Sequence, residues 1–123
     1  MESLDIARLC ARVADEKRAE DILILQTGKV SSVAEYFILA TARNRRQMKA
    51  VLESIRLELK SLGVRDLHSE GYGGDKWTLL DYGDVVVHVF DADTRSFYDL
   101  ESLWADAPRV PLPEAGKASR DSA

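Results

Sequence analysis

A chain of 123 residues with 46% hydrophobic and 31% charged residues has the balance of an ordinary globular protein with a single core. Its formal charge of −4 argues against wrapping nucleic acid with the whole surface, although a local basic patch stays compatible with it. No apolar run approaches the roughly 20 residues of a membrane helix, the start "MESLDIARLCARVADEK" lacks a signal peptide's apolar block, and one cysteine, Cys10, offers neither a disulfide nor zinc spacing. A reducing cytoplasm fits these features best.

Residues 4–17 predict a helix, because Ile6, Leu9, Cys10 and Val13 fall at i, i+3, i+4 and i+7 while Arg8, Arg12 and Glu16 face outward. "DILILQT" runs almost continuously apolar, as a strand covered on both faces does. "GKVSSVAEYF" turns the chain and predicts one short helix capped by Ser31 or Ser32, and "FILAT" is a second buried strand. A long helix follows over residues 44–62, with Met48, Val51, Leu52, Ile55, Leu59 and Leu62 on one stripe, Asn44 as its cap and Gly63 as its stop. "VRDLHSEGY" reads as an edge strand and residues 71–75 as a loop. "WTLLD" and "DVVVHVF" then form a hairpin about Tyr82 and Gly83. Asp93 or Thr94 caps a last helix through "SFYDLESLW". From residue 108 the composition changes, with almost no large apolar residue, so the folded domain spans 1–107 and a flexible tail spans 108–123. The order implies an α/β (α+β) fold, one mixed sheet with helices packed on it.

Several patterns invite chemistry. On its strand His88 shares a face with Val86 and Phe90, but no orienting carboxylate or nucleophile accompanies it. A packed histidine is the better reading, and His68 beside it does not make a metal site. "EGYGGD" is glycine-rich as a phosphate loop is, yet it leads into a strand where such a loop must open a helix. The pair Asp91 and Asp93 could hold magnesium in a phosphoryl-transfer enzyme, or Asp93 could simply cap a helix. "TGKVSSVAEYFILATA" has the outline of a nucleotidyltransferase turn and strand, but residues 37–41 carry no acid. Arg43, Arg45, Arg46 and Lys49 gather cations at the positive end of the long helix, which is unfavourable unless an anion answers them. A solvated face and an RNA phosphate both fit.

The most informative stretch is "SFYDLESLW". Phe97, Leu100 and Trp104 form a face that docks on the sheet, and Tyr98 projects about 100° away from it. Trp77 starts a strand after a polar loop, near the rim of the sheet. Partly exposed Trp and Tyr are typical of the centre of a protein interface.

With these residues in view, the sequence resembles the ribosomal silencing factors, or Iojap-like proteins, from about Leu4 to Trp104. The resemblance rests on "DILIL", "SSVAEYFILATA", "EGYGGDKWTLLDYGDVVVHVF" and "FYDLESLW". Two positions depart from the family pattern: Gln26 stands where Asp is common, and "TARNRR" where "TGTSSR" is common, which makes this helix start more basic. The resemblance implies a nucleotidyltransferase-like fold without the active site, no catalytic residue, no metal and no cofactor. It also implies binding to the large ribosomal subunit through ribosomal protein fourteen, obstruction of small-subunit joining, lower translation under nutrient limitation, and a homodimer. Carried over by residue, Trp77 and Tyr98 match positions implicated in that contact, with Leu80, Asp81 and Tyr82 nearby. His88 belongs to the signature as scaffold. The competing reading is a small metal-dependent nucleotidyltransferase using Asp91 and Asp93.

Overall fold

The computed structural model describes residues 1–113. Helix α1 (Ser3–Glu16) leads into strand β1 (Glu20–Leu25), a 3-10 turn (Thr27–Lys29) and strand β2 (Tyr36–Thr41). Helix α2 (Arg45–Ser61) carries the chain to β3 (His68–Glu70), β4 (Trp77–Asp81) and β5 (Val85–Phe90). Two short helices, α3 (Ala92–Tyr98) and α4 (Leu100–Leu103), precede β6 (Arg109–Val110). The strands make one mixed sheet in the order β3-β4-β5-β2-β1-β6, in which β2 and β5 are parallel and every other neighbouring pair is antiparallel.

Alternation along the strands sorts the side chains onto two unlike faces. Ile24, Ile38, Ala40, Leu80, Val85, Val87 and Val89 turn to the side covered by α1 and α2, where they meet Leu9, Cys10, Val13, Met48, Val51, Leu52, Ile55 and Leu59 in one large core. Leu25, Phe37, Leu39, Val86 and Phe90 turn to the other side. That second layer is thin, finished by half-buried Leu23, Trp77, Leu79, Leu100 and Trp104. The helix stripe predicted on α2 is buried through Leu59, but Leu62 is its C-cap and 54% exposed. Asn44 caps α2 as expected, its side chain accepting the Gln47 backbone N–H at 2.8 Å.

Glycine is required where the β3–β4 loop re-enters the sheet. Gly71 has φ +71, and a Cβ there would collide with the Trp77 carbonyl. The glycine-rich stretch is therefore a hairpin connection, and it sets where β4 begins.

Three sequence-based expectations change. No helix capped by Ser31 or Ser32 forms; the chain makes the 3-10 turn instead, and Thr27 spans the loop by donating its hydroxyl to the Ala34 carbonyl at 2.9 Å. The last helix is capped by Asp91, not by Asp93 or Thr94: the Asp91 side chain accepts the Thr94 N–H at 2.8 Å. It also breaks at Asp99, which adopts φ +48 and restarts the chain as α4. Finally, the tail does not begin at residue 108. Gln26 donates its N–H to the Pro108 carbonyl at 2.8 Å, and β6 pairs with β1 at Ile24 against Val110 and Leu25 against Arg109. Residues 114–123 of the expected tail lie outside the described residues.

β6 closes an otherwise open edge of β1, so its removal leaves β1 backbone groups unpaired and takes away the apolar cover that the half-buried Val110 gives the core. A chain ending at Ala107 should lose roughly 2 kcal/mol relative to one ending at Pro113, from lost ladder bonds and apolar cover. That corresponds to a melting temperature lower by on the order of 10 °C. Identical thermal melts for the two chains would show that β6 contributes nothing.

Candidate functional site

Trp77 opens β4 opposite Phe90 of β5, and its ring lies 5.0 Å from that of Phe90 and 4.9 Å from that of Tyr98. The rings continue in both directions. Phe97 sits edge-on to Tyr98 at 5.0 Å; on the inner side Trp77 neighbours His88 at 5.9 Å, His88 neighbours Phe37 at 4.7 Å, and Phe37 meets Trp104 at 5.1 Å. The arc of aromatics crosses the thinly covered face and ends in the open: Tyr98 is 53% and Phe97 80% exposed.

The expected docking face of the last helix is corrected here. Because Asp99 takes the left-handed conformation, the axis turns between Tyr98 and Leu100. Leu100 and Trp104 pack on the sheet as predicted, whereas Phe97 stays outside. What holds α3 in place is Arg95, a residue with no periodic signal. Buried, it donates to the Thr41 hydroxyl at 2.9 Å and pairs with Glu101 at 3.2 Å, tying both short helices to β2. Tyr98 is thus fixed beside Trp77, so two residues singled out from the sequence meet in space.

Their expected neighbours divide differently. Leu80 is fully buried on the α1–α2 side and cannot face a partner on this surface. Asp81 shares the Trp77 face but closes the hairpin turn, accepting the Gly83 N–H at 2.7 Å. Tyr82 packs against the large core, and burial raises its phenol above the usual range. Leu79, which the sequence reading passed over, is the half-buried residue beside Trp77 on the aromatic face. Counting two residues on from Trp77 would have found it.

His88 is packed, as expected. Its Nδ1 accepts the Trp77 indole N–H at 3.2 Å, which makes Nε2 the protonated nitrogen, and that donor has no partner among the described residues. Burial holds the imidazole neutral and lowers its pKa to about 4. His68 lies two strands away on β3 and pairs with Glu70 at 2.8 Å, so the two histidines do not meet. Asp91 is committed to its cap, and the Thr94 hydrogen bonds, with Lys76 at 3.7 Å, lower its carboxyl below the usual range. Among the described residues no group of three or more His, Cys, Asp or Glu could hold a metal ion. Cys10 is buried, and desolvation raises its thiol to about 12, which leaves it unreactive.

The basic residues assemble at the same end of the sheet, on the helix side. Arg43, Arg45, Arg46 and Lys49 are exposed at the start of α2. Gln47 draws a second basic segment to them: its side-chain amide donates to the carbonyls of Lys17 (3.1 Å) and Arg18 (2.8 Å), while its Oε1 accepts the Arg43 N–H at 2.7 Å. The Arg43 guanidinium also reaches the Arg18 carbonyl at 3.3 Å. Lys17 and Arg18, both exposed, therefore join the corner.

His88 carries a pH prediction. Its folded pKa is lower than the unfolded value near 6.5, so the unfolded chain binds the proton first and stability falls as pH drops from about 6.5 to about 4. The loss over that window should be on the order of 3 kcal/mol. In His88→Gln, whose amide can still accept from Trp77, denaturant midpoints should fall less steeply across the window. Equal slopes in both proteins would assign the acid sensitivity elsewhere.

A family described as "Ribosomal silencing factor during starvation" matches residues 1–123. The chain is 41% identical to the ribosomal silencing factor RsfS of Bacillus subtilis, over 91% of this chain and 95% of that one. It is 38% identical to the chloroplastic protein Iojap of Arabidopsis thaliana, over 91% of this chain and 47% of that longer protein. Among solved structures, a protein from Chromobacterium violaceum superposes with a TM-score of 0.79 at 39% identity, covering 85% of this chain and 88% of the other. One from Bacillus halodurans gives 0.78 at 32% identity, covering 89% and 100%. With the family matched over its whole length, this degree of identity and the close superposition on related structures, the chain belongs to the ribosomal silencing factor family.

Proposed function

We propose that this protein represses translation by binding the large ribosomal subunit through ribosomal protein fourteen and so obstructing the small subunit. In this reading it acts in the cytoplasm and lowers translation when nutrients are limiting. The observation that carries the reading is the aromatic patch of Trp77, Tyr98 and Phe97, mounted on the scaffold of a family described as ribosomal silencing factors during starvation. Large rings with little rotamer freedom and a dry neighbour are the usual anchors of protein interfaces. A second copy of the chain could occupy the same patch, so dimer and ribosome-bound forms would compete.

A phosphoryl-transfer role draws little support from the geometry. Asp91 is used as a helix cap, Asp93 is exposed, and β2 carries no acid. No described helix is long and apolar enough to cross a membrane.

The protein should cosediment with free large subunits and be absent from joined, translating particles. Tyr98→Ala is the sharper variant, because Tyr98 is half exposed, whereas Trp77→Ala would also strip His88 of its donor and cost stability. Loss of an interface anchor costs about 2 kcal/mol, so Tyr98→Ala should bind purified large subunits about thirtyfold more weakly with an unchanged circular dichroism spectrum. A folded Tyr98→Ala protein that binds at full strength would remove the aromatic patch from the interface.

A further inference from the structure

We propose that Lys17, Arg18, Arg43, Arg45, Arg46 and Lys49 form a second docking surface, which holds the phosphate backbone of double-helical RNA. The inference deepens the ribosome-binding reading and rests on it for the identity of the nucleic acid. Its starting observation is the Gln47 clamp. Two basic segments separated by about 25 residues of sequence are held together by the Gln47 amide and the Arg43 guanidinium, both bonded to the Arg18 carbonyl. A chain that carries a formal charge of −4 thus concentrates six cations at one corner. The N-terminal end of α2 adds its own partial positive charge there, an arrangement that costs stability unless an anion meets it.

The chemistry of the corner selects the partner. Its outward groups are guanidinium and ammonium, while the apolar residues of the same turn, Ala42 and Met48, are buried. A protein partner would need an apolar centre to dry out, and this surface provides none. Unpaired bases would need aromatic platforms for stacking, and no aromatic residue stands among the six. A double helix presents a regular row of phosphates, which suits arginine forks and needs neither. Lys49 is already drawn to Glu53 at 3.9 Å, a loose exposed pair that a phosphate can displace.

Placement supports joint use with the aromatic patch. Glu20, Thr41, Phe90 and Trp77 pair in one row across β1, β2, β5 and β4. Three strand spacings of roughly 4.8 Å separate its ends, or roughly 14 Å. The basic corner adjoins the Glu20 end and Tyr98 adjoins the Trp77 end. One large partner made of both RNA and protein could touch both. Between them lie Glu20, Asp21, Asp99 and Glu101 around Arg95, so phosphates are repelled from the middle of this end and the RNA contact is confined to the corner.

The test separates the two surfaces. Arg45, Arg46 and Lys49 are exposed and make no buried contact, so Arg45→Gln/Arg46→Gln/Lys49→Gln should fold normally. Anisotropy of a labelled RNA duplex of roughly 20 base pairs, titrated with the full chain between about 50 and 200 mM salt, gives affinity and salt slope. The wild type should bind, and the triple variant should bind on the order of tenfold more weakly, with a log–log slope shallower by about 2 to 3. Tyr98→Ala should bind the duplex as the wild type does. Triple-variant binding equal to wild type, or no wild-type binding at low salt, overturns the proposal. So does tighter binding to polyglutamate or to phosphatidylserine vesicles than to the duplex, which would identify an acidic protein or a membrane as the partner. If the duplex is bound as expected while purified large subunits are not, the ribosomal reading fails and the RNA surface stands. If subunits are bound equally well by wild type and triple variant at every salt concentration, the RNA surface fails and the ribosomal reading stands.

Discussion

β2 and β5 run parallel through six matched pairs, from Tyr36 against Val85 to Thr41 against Phe90, and both strands are buried along their whole length. A parallel pair cannot be closed by a tight turn; it needs a long crossover, which α2 and the β3–β4 hairpin supply. Two consequences follow. The carboxyl ends of both strands lie at one end of the sheet, so the starts of α2 and α3 are brought together there, bridged by the Ala42 N–H to the Phe90 carbonyl at 2.8 Å. Because β4 is antiparallel to β5, Trp77 begins at that same end. The cations at the start of α2 and the rings of Trp77 and Tyr98 owe their proximity to this one pairing. In open sheets of this kind ligands gather at the carboxyl ends of parallel strands, and both surfaces proposed for docking lie at that end.

The two faces of the sheet divide the work. On one side α1 and α2 bury a large aliphatic core with residues such as Val51, Ile55 and Val89 at zero exposure, and cohesion is concentrated there. On the other side short helices held by Arg95 leave the cover incomplete, and the face tolerates features that a core would not. Among the described residues the His88 Nε2 donor is unpaired, and Phe97 is in the open. An unmet buried donor costs about 1–3 kcal/mol. The aliphatic layer can absorb such a cost, which leaves the aromatic face freer to carry exposed rings.

The parts of this arrangement that repeat were legible in the sequence. The α2 stripe and the nearly continuous apolar run of β5 are signals repeated over several residues, and Asn44 is a local cap signal next to that stripe. The packed character of His88 followed from the lack of a carboxylate or nucleophile to accompany it. What was not legible depends on single contacts across the fold. The break at Asp99 is one backbone conformation, fixed by the packing of Leu100 and Trp104 and by Arg95 reaching Thr41, 54 residues away in sequence. β6 binds through backbone to β1, and two residues cannot show a period. The Gln47 clamp joins α2 to the end of α1, so the sequence displayed four of the corner's cations and hid that Lys17 and Arg18 belong with them. Leu80 was misjudged for a different reason: proximity to Trp77 along the chain was given more weight than the alternation that puts it on the opposite face.

That alternation also predicts that the outer aromatic end tolerates substitution better than the residues facing α1 and α2. Residues facing α1 and α2 are interlocked with two helices, so a change of one methylene there is felt widely. Side chains of the aromatic arc touch mainly one another, and at its outer end Tyr98 and Phe97 meet solvent. Substitutions from buried Phe37 and His88 through Trp77 outward to Tyr98 and Phe97 should therefore matter progressively less to the fold and more to whatever the surface binds. Trp77 stands where the gradient crosses over. Its indole N–H satisfies His88 inside, and its ring supports Tyr98 outside, so a single residue couples the integrity of the sheet to the shape of the proposed docking surface.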